Sequence, residues 1–167
     1  MEQFEFVPPT TGAVLDRMQL LTQAHDGWIN LLPGVPEEEA QRASGGVFSA
    51  LFGVQQPVTM CTWMPPGTGR GGTGEQSVGV LHPRGRNAVA QLAELGVPVP
   101  SSWRVTQDHA RRGLILHPLP GASPAEVLDW ALRAGAALAV VPLTGSWQAR
   151  VFLPRHELPP EGRPTSL

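Results

Sequence analysis

Hydrophobic positions fall into short runs separated by turn residues, and the spacing within each run predicts its element. Val14, Leu15, Met18 and Leu21 recur at helical spacing after Thr10-Thr11, predicting a first helix that runs to about Ala24. "VTMCTWM" (58–64) reads as a strand, as do "SVGVLH" (77–82), "WRVTQD" (103–108), "LILH" (114–117) and "WQARVFL" (147–153). Arg86 to Leu95 reads as a helix with Val89, Leu92 and Ala93 inward; Gly96 ends it, and Pro98 and Pro100 keep it from restarting. Ser123-Pro124-Ala125-Glu126 is a capping box with proline at the first helical position, opening a helix to about Ala139.

Residues 25–56 read as irregular. "DGWINLLPGVPEEE" carries turn signals at Gly27, Pro33, Gly34 and Pro36 among apolar anchors, and "VFSALFGV" (47–54) fits strand or helix. "PPGTGRGGTG" (65–74) reads as a flexible loop, and "PRHELPPEGRPTSL" (154–167) as a loose tail.

From Gln76 the predicted order is β-α-β-β-α-β, the ferredoxin-like arrangement, an α+β sheet with two helices on one face. A weak repeat supports two β-α-β halves: "LHP" leaves a strand at 81–83 and 116–118, and "SW" opens one at 102–103 and 146–147. The expected organisation is an N-terminal helix and arm (1–56) packed on the sheet, an α+β domain (57–155) and a tail (156–167). One feature resists this topology. A hairpin joining 58–64 to 76–82 needs a free edge beside a strand that already has two neighbours.

The predicted topology assigns the sheet faces. Val78, Val80, Trp103, Val105, Leu114, Leu116, Ala149 and Val151 are expected under the helices. The other face carries Leu81, Ile115 and Phe152 bordered by Arg104, Thr106, Asp108, Gln148 and Arg150. An apolar centre with a charged border is a surface that meets something. The arm, through Trp28, Ile29, Leu31, Leu32, Phe48, Leu51 and Phe52, is the favoured cover; a second copy of the chain is the alternative, leaving monomer or homodimer open.

Composition narrows the class. The chain has 167 residues, glycine and proline making about a fifth, and all twelve basic side chains are arginine. The absence of lysine fits the codon bias of a GC-rich bacterial genome. Net charge is -2 and gives no global field for nucleic acid. Residues 1–75 hold three arginines against eight acids, and residues 76–167 nine against six, an asymmetry that fits either mutual attraction of the halves or recruitment of a partner by one of them. Without aromatics in "SVGVLH" and "LILH", base stacking of the kind ferredoxin-like RNA binders use is not expected. One cysteine excludes an intrachain disulfide, and no signal-peptide or membrane-spanning pattern is present, so the expected location is the cytoplasm.

Candidate chemistry centres on "LHPRGRN", where arginines flank a helix start whose free N–H groups suit an anion. The repeat explains Leu-His-Pro as a strand exit, leaving the arginines. The predicted topology brings the turn "DHARRG" to the same end of the sheet. His82, Arg84, Arg86, His109, Arg111 and Arg112 there form a candidate patch for an acidic protein or an anionic small molecule. His82 and His117 fall at opposite ends, which excludes a shared two-histidine metal site. "GTGRGGTG" lacks the Lys-Ser/Thr of a P-loop, and no metal or cofactor is expected. Cys61 reads as a buried strand cysteine. The leading expectation is a non-enzymatic binding or regulatory module. The alternative is a small enzyme with a pocket between arm and sheet, using His25, Cys61 or His109.

Overall fold

A computed structural model describes residues 1–44, 58–67 and 74–153. The run at 47–54, the anchors Phe48, Leu51 and Phe52, most of the glycine-rich loop and the C-terminal tail lie outside the described residues. Seven strands form one sheet: β1 (Glu2–Phe6), β2 (Trp28–Pro33), β3 (Met60–Met64), β4 (Ser77–Leu81), β5 (Arg104–His109), β6 (Gly113–His117) and β7 (Trp147–Phe152). The helices are α1 (Gly12–Ala24), α2 (Glu37–Ser44), α3 (Ala88–Glu94) and α4 (Pro124–Leu138). The strand order is β1-β7-β2-β3-β4-β6-β5, with every neighbouring pair antiparallel.

This order overturns the ferredoxin-like expectation. Within the sheet β6 fills the gap between β4 and β5, which are joined through α3, but this run does not extend to a ferredoxin-like sheet. The crossover from β6 through α4 to β7 is where it fails. A ferredoxin-like sheet would place β7 beside β4, but β3 and β2 occupy that side of β4 and β7 lies beyond them. The hairpin of β3 with β4, registered Cys61↔Val80 and Trp63↔Val78, takes the edge that β7 would have needed. The strand that resisted the predicted topology is thus the one that breaks it.

The N-terminal residues also depart from the irregular arm. "WINLLP" is a strand with Ile29 and Leu31 each 1% exposed, paired on one side with β7 and on the other with β3. Its turn signals bound the strand instead of interrupting it. "EQFEF" forms β1, with Glu2, Phe4 and Phe6 on one face and Gln3 and Glu5 on the other, registered Phe4↔Ala149 and Phe6↔Trp147. The β1-α1-β2 unit mirrors β4-α3-β5: each is a crossover between parallel strands whose gap a later strand fills, β7 in one and β6 in the other.

One face of the sheet carries the core. Ile29, Leu31, Cys61, Trp63, Val78, Val80, Leu114, Leu116, Ala149 and Val151 alternate inward, as a half-buried antiparallel sheet requires. The core-facing assignments of β4, β6 and β7 match this placement. Val105 does not, because β5 is an edge strand with an irregular register between Val105 and Gln107. Helix α1 lays Val14, Met18 and Leu21 on the sheet, and Arg17 holds Glu2 of β1 through two hydrogen bonds of 2.8 and 2.7 Å. Helix α4 opens on the capping box, with the Ser123 N–H donating to Glu126 Oε2.

Helix α4 lies close on β3. The Thr59 hydroxyl donates to the Gly135 carbonyl at 2.8 Å, and the Cys61 thiol donates to the Ala131 carbonyl at 3.2 Å. A Cβ at Gly135 would stand 2.7 Å from Cys61 Sγ and 2.9 Å from the Trp147 ring, so glycine sets the approach. Among the described residues no helix is long and apolar enough to cross a membrane.

On the opposite face Trp28 stacks on Phe152 with ring centroids 4.5 Å apart, and the Thr62 hydroxyl donates to Asn30 Oδ1. The two additional strands therefore widen the face that the arm was expected to cover, because residues 28–33 join the sheet instead of lying across it.

Candidate functional site

The β4–α3 connection and the β5–β6 turn meet at one end of the sheet, as the register His109↔Gly113 beside Val80↔Leu114 dictates. Helix α3 begins there, and its first free amides are already taken. The Ala88 N–H donates to Asp108 Oδ1 at 3.0 Å and the Val89 N–H to Oδ2 at 3.1 Å. A carboxylate at a helix N-terminus satisfies two unpaired donors and the positive end of the dipole together. The anion expected at this helix start is therefore the chain's own Asp108, reaching across from β5.

The flanking loop is tied down as well. The Gln91 side-chain amide donates to the carbonyls of Arg84 and Arg86, at 3.1 and 2.9 Å. Asn87, in the left-handed region at φ 61, turns the chain into α3. In the β5–β6 turn, His109 Nδ1 accepts from the Arg111 and Arg112 N–H groups at 3.1 and 3.2 Å. That nitrogen is unprotonated in this arrangement, which leaves Nε2 to carry the ring proton.

Of the six candidate residues three converge and three lie apart, each in a different setting. Arg86, His109 and Arg111 line one open concavity of about 430 Å³ together with Asn87, Asp108 and Ala110. Arg84 is turned to α4, where its guanidinium donates to the carbonyl of Ala139 at 3.1 Å and that of Ala137 at 3.4 Å. A cation there meets the negative end of the helix dipole, which is a structural role. Arg112 borders a different depression, on the open sheet face beside Met60, Leu81 and Ile115. His82 is 2% exposed and within electrostatic reach of Asp108. Around the concavity, then, two guanidiniums face one carboxylate whose two oxygens are both engaged.

His82 is unusual because neither ring nitrogen has a hydrogen-bond partner among the described residues. Burial pushes its pKa below the ordinary histidine value, and the negative charge of Asp108 acts in the opposite direction. With the folded pKa below the unfolded one, the unfolded chain binds more protons between the two values. Stability is full above the unfolded value, about pH 6.5, and is lost as pH falls toward the folded pKa. Urea unfolding at pH 7.5 and 5.5 is expected to show this loss, and His82→Leu to reduce it. An equal loss in the variant would remove His82 as the cause.

The three groups considered for catalysis do not meet. His25 closes α1 in the left-handed region, with Nδ1 3.2 Å from the Pro66 carbonyl oxygen. Cys61 sits beneath α4, where burial pushes its thiol up to about 12, far from the thiolate a nucleophile needs. His109 is in the β5–β6 turn. Trp28, Ile29, Leu31 and Leu32, expected in an arm covering the open sheet face, instead belong to β2 within the sheet, so no arm–sheet pocket forms from them.

Two features of this end were beyond the sequence reading. In the sequence Asp108 reads only as part of the charged border of the open sheet face, because its bonds to α3 require β5 and α3 to be neighbours in space. Asn87 carries a local signal, since asparagine is enriched where φ is positive. A second concavity, between α4 and the loops preceding β5 and following β6, was likewise not anticipated; it contains Trp103 and Trp130. Comparison of the chain with protein-family models, with curated proteins and with solved structures finds no match in any of the three.

Proposed function

We propose that the protein is a non-enzymatic binding module whose arginine-bearing sheet end takes an acidic group on a protein partner. The observation that carries this reading is the convergence of Arg86, His109 and Arg111 on one concavity whose own carboxylate is already saturated by helix amides. Arg86 and Arg111 supply charge-assisted, bidentate-capable donors for a carboxylate. The concavity is open, whereas small-ligand pockets enclose most of their ligand. An acidic side chain projecting from a protein surface therefore suits it better than a free small anion.

The test is isothermal titration of a glutamate-rich peptide into the wild type and into Arg86→Gln/Arg111→Gln at low salt. Exposed pairs each contribute modestly, so a loss of about ten-fold is expected for the double variant, with the thermal unfolding midpoint unchanged. Arg84→Gln removes a contact to α4 instead, and is expected to lower stability slightly while leaving affinity in place. Equal affinity in wild type and double variant would overturn the reading. Competition by inorganic phosphate as effective as the peptide would point to a small anion.

A further inference from the structure

The second concavity lies at the end of the sheet opposite the arginine turn. The pairs Trp28↔Phe152, Met64↔Ser77 and Arg104↔His117 set that end, and Trp103 precedes β5 there while Leu119 to Ala122 follow β6. The groove is about 430 Å³, with Pro100, Trp103, Leu119, Pro120 and Trp130 as its apolar surface. Trp103 meets Trp130 edge-on, with ring centroids 5.1 Å apart and an interplanar angle of 61°. Glu126, Asp129 and Arg133, successive residues on the outer side of α4, provide its charged rim.

Three observations describe what this groove would accept. The two indoles differ: Trp130 Nε1–H donates to the Pro98 carbonyl at 3.1 Å, whereas the Trp103 indole N–H has no hydrogen bond among the described residues. An indole donor beside exposed apolar side chains suits the carbonyl of an extended peptide that cannot pair its own backbone. Leu119 is 51% exposed, although it sits between Trp103 and two prolines. The rim carries two carboxylates against one guanidinium; Arg133 pairs with Asp129 Oδ2 alone, so the rim keeps an acidic excess. Aromatic and proline surface with a free donor and an acidic rim recognises a proline-rich segment bearing arginine.

The chain itself contains such a sequence. After Leu153 it continues "PRHELPPEGRPTSL", with Pro154, Pro159, Pro160 and Pro164 accompanied by Arg155 and Arg163. β7 ends at Phe152, on the same end of the sheet as the groove. The separation from β7 to β5 across the sheet order is about 24 Å at the usual strand spacing. Fourteen extended residues reach up to about 45 Å. We infer that the groove between Trp103 and α4 is a docking site for a proline-rich, arginine-bearing segment, and that its occupant is residues 154–167 of the same chain. For that segment Trp103 and Leu119 offer apolar surface to its prolines, the Trp103 indole offers a donor to a backbone carbonyl, and Glu126 and Asp129 offer opposite charge to Arg163.

The experiment uses the full chain labelled with nitrogen-15, and reads the five tryptophan indole signals, Trp103 being assigned with Trp103→Phe. In the full-length variant Pro159→Ala/Pro160→Ala/Pro164→Ala/Arg163→Gln the Trp103 signal is expected to move while those of Trp28, Trp63 and Trp147 stay. Adding a synthetic peptide of residues 154–167 to that variant is expected to return the signal toward its wild-type position. A Trp103 signal indifferent to both changes would overturn the inference. So would a wild-type position that shifts on dilution, which would assign the segment to a second copy. Failure here leaves the arginine-turn reading untouched, since the two sites lie at opposite ends of the sheet.

Discussion

Replacing Gly113 by alanine is expected to destabilise the protein by about 3 kcal/mol, the sum of backbone strain and overpacking. Gly113 opens β6 at φ +76, a conformation that L side chains rarely adopt, and it is registered against His109 across the β5–β6 turn. A methyl group there would overlap the Val80 carbonyl oxygen and lie 3.0 Å from Leu81 Cα. Both obstacles are backbone atoms of β4, which pairs with β6 along its length, so neither side can yield without loosening the ladder. For a domain of this size the loss corresponds to a fall in the thermal midpoint of roughly 10 °C. Gly85→Ala is the control: φ is +79, but nothing lies within 4 Å, so strain acts alone and the loss is expected to be smaller. Equal losses for the two would show that β4 is not in the way. The same turn presents Arg111 and His109, so Gly113→Ala is also expected to weaken peptide binding at the arginine end.

Ile29→Ala is expected to cost about 3 kcal/mol, and Leu31→Ala a similar amount, as for other large-to-small changes in a closed core. Ile29 is 1% exposed between Val151 of β7 and Trp63 of β3, and Leu31 between Ala149 and Cys61. In the irregular arm that the turn signals suggest, the same truncations would cost well under 1 kcal/mol, as exposed positions do. Urea unfolding of the two variants therefore tests the placement of β2 directly. Asn30→Ala, on the half-buried opposite face, removes a hydrogen bond to Thr62 and is expected to cost about 1 kcal/mol. Near-equal values at 29, 30 and 31 would contradict the alternation of a strand.

Local signals carried most of the elements. The capping box before α4, the apolar stripe of α1 and the alternation of β7 each depend on residues a few positions apart, where sequence spacing and spatial spacing coincide. The helix expected over Arg86 to Leu95 was legible for the same reason, though it begins at Ala88, and so was the alternation of Val78, Val80, Leu114 and Leu116 on one face. β2 was obscured because its core is nearly continuous in apolar residues and its ends are rich in glycine and proline. β1 is hidden in the sequence because its alternation places charge on both faces, Glu2 binding Arg17 and Glu5 lying opposite.

Strand order was decided only in the folded molecule. An antiparallel ladder needs a free edge, and the β3–β4 hairpin claims the one beside β4 before the chain reaches β7. β7 then closes the slot between β1 and β2, where its buried residues Trp147, Ala149 and Val151 extend the same apolar face. The site followed the same rule. Sequence and topology together placed the arginines at one end of the sheet, but their roles depended on distant partners. Arg84 was drawn to the last carbonyls of α4, and Asp108 to the first amides of α3, because unsatisfied helix ends attract whatever opposite charge the fold brings near. The sequence by itself determined α1, α3, α4 and most of the strands, since those preferences act over a few residues, whereas α2 lies in the stretch that its turn signals make read as irregular. Only tertiary structure decided which arginines remain available, since that depends on which backbone groups lie beside them once the sheet has closed.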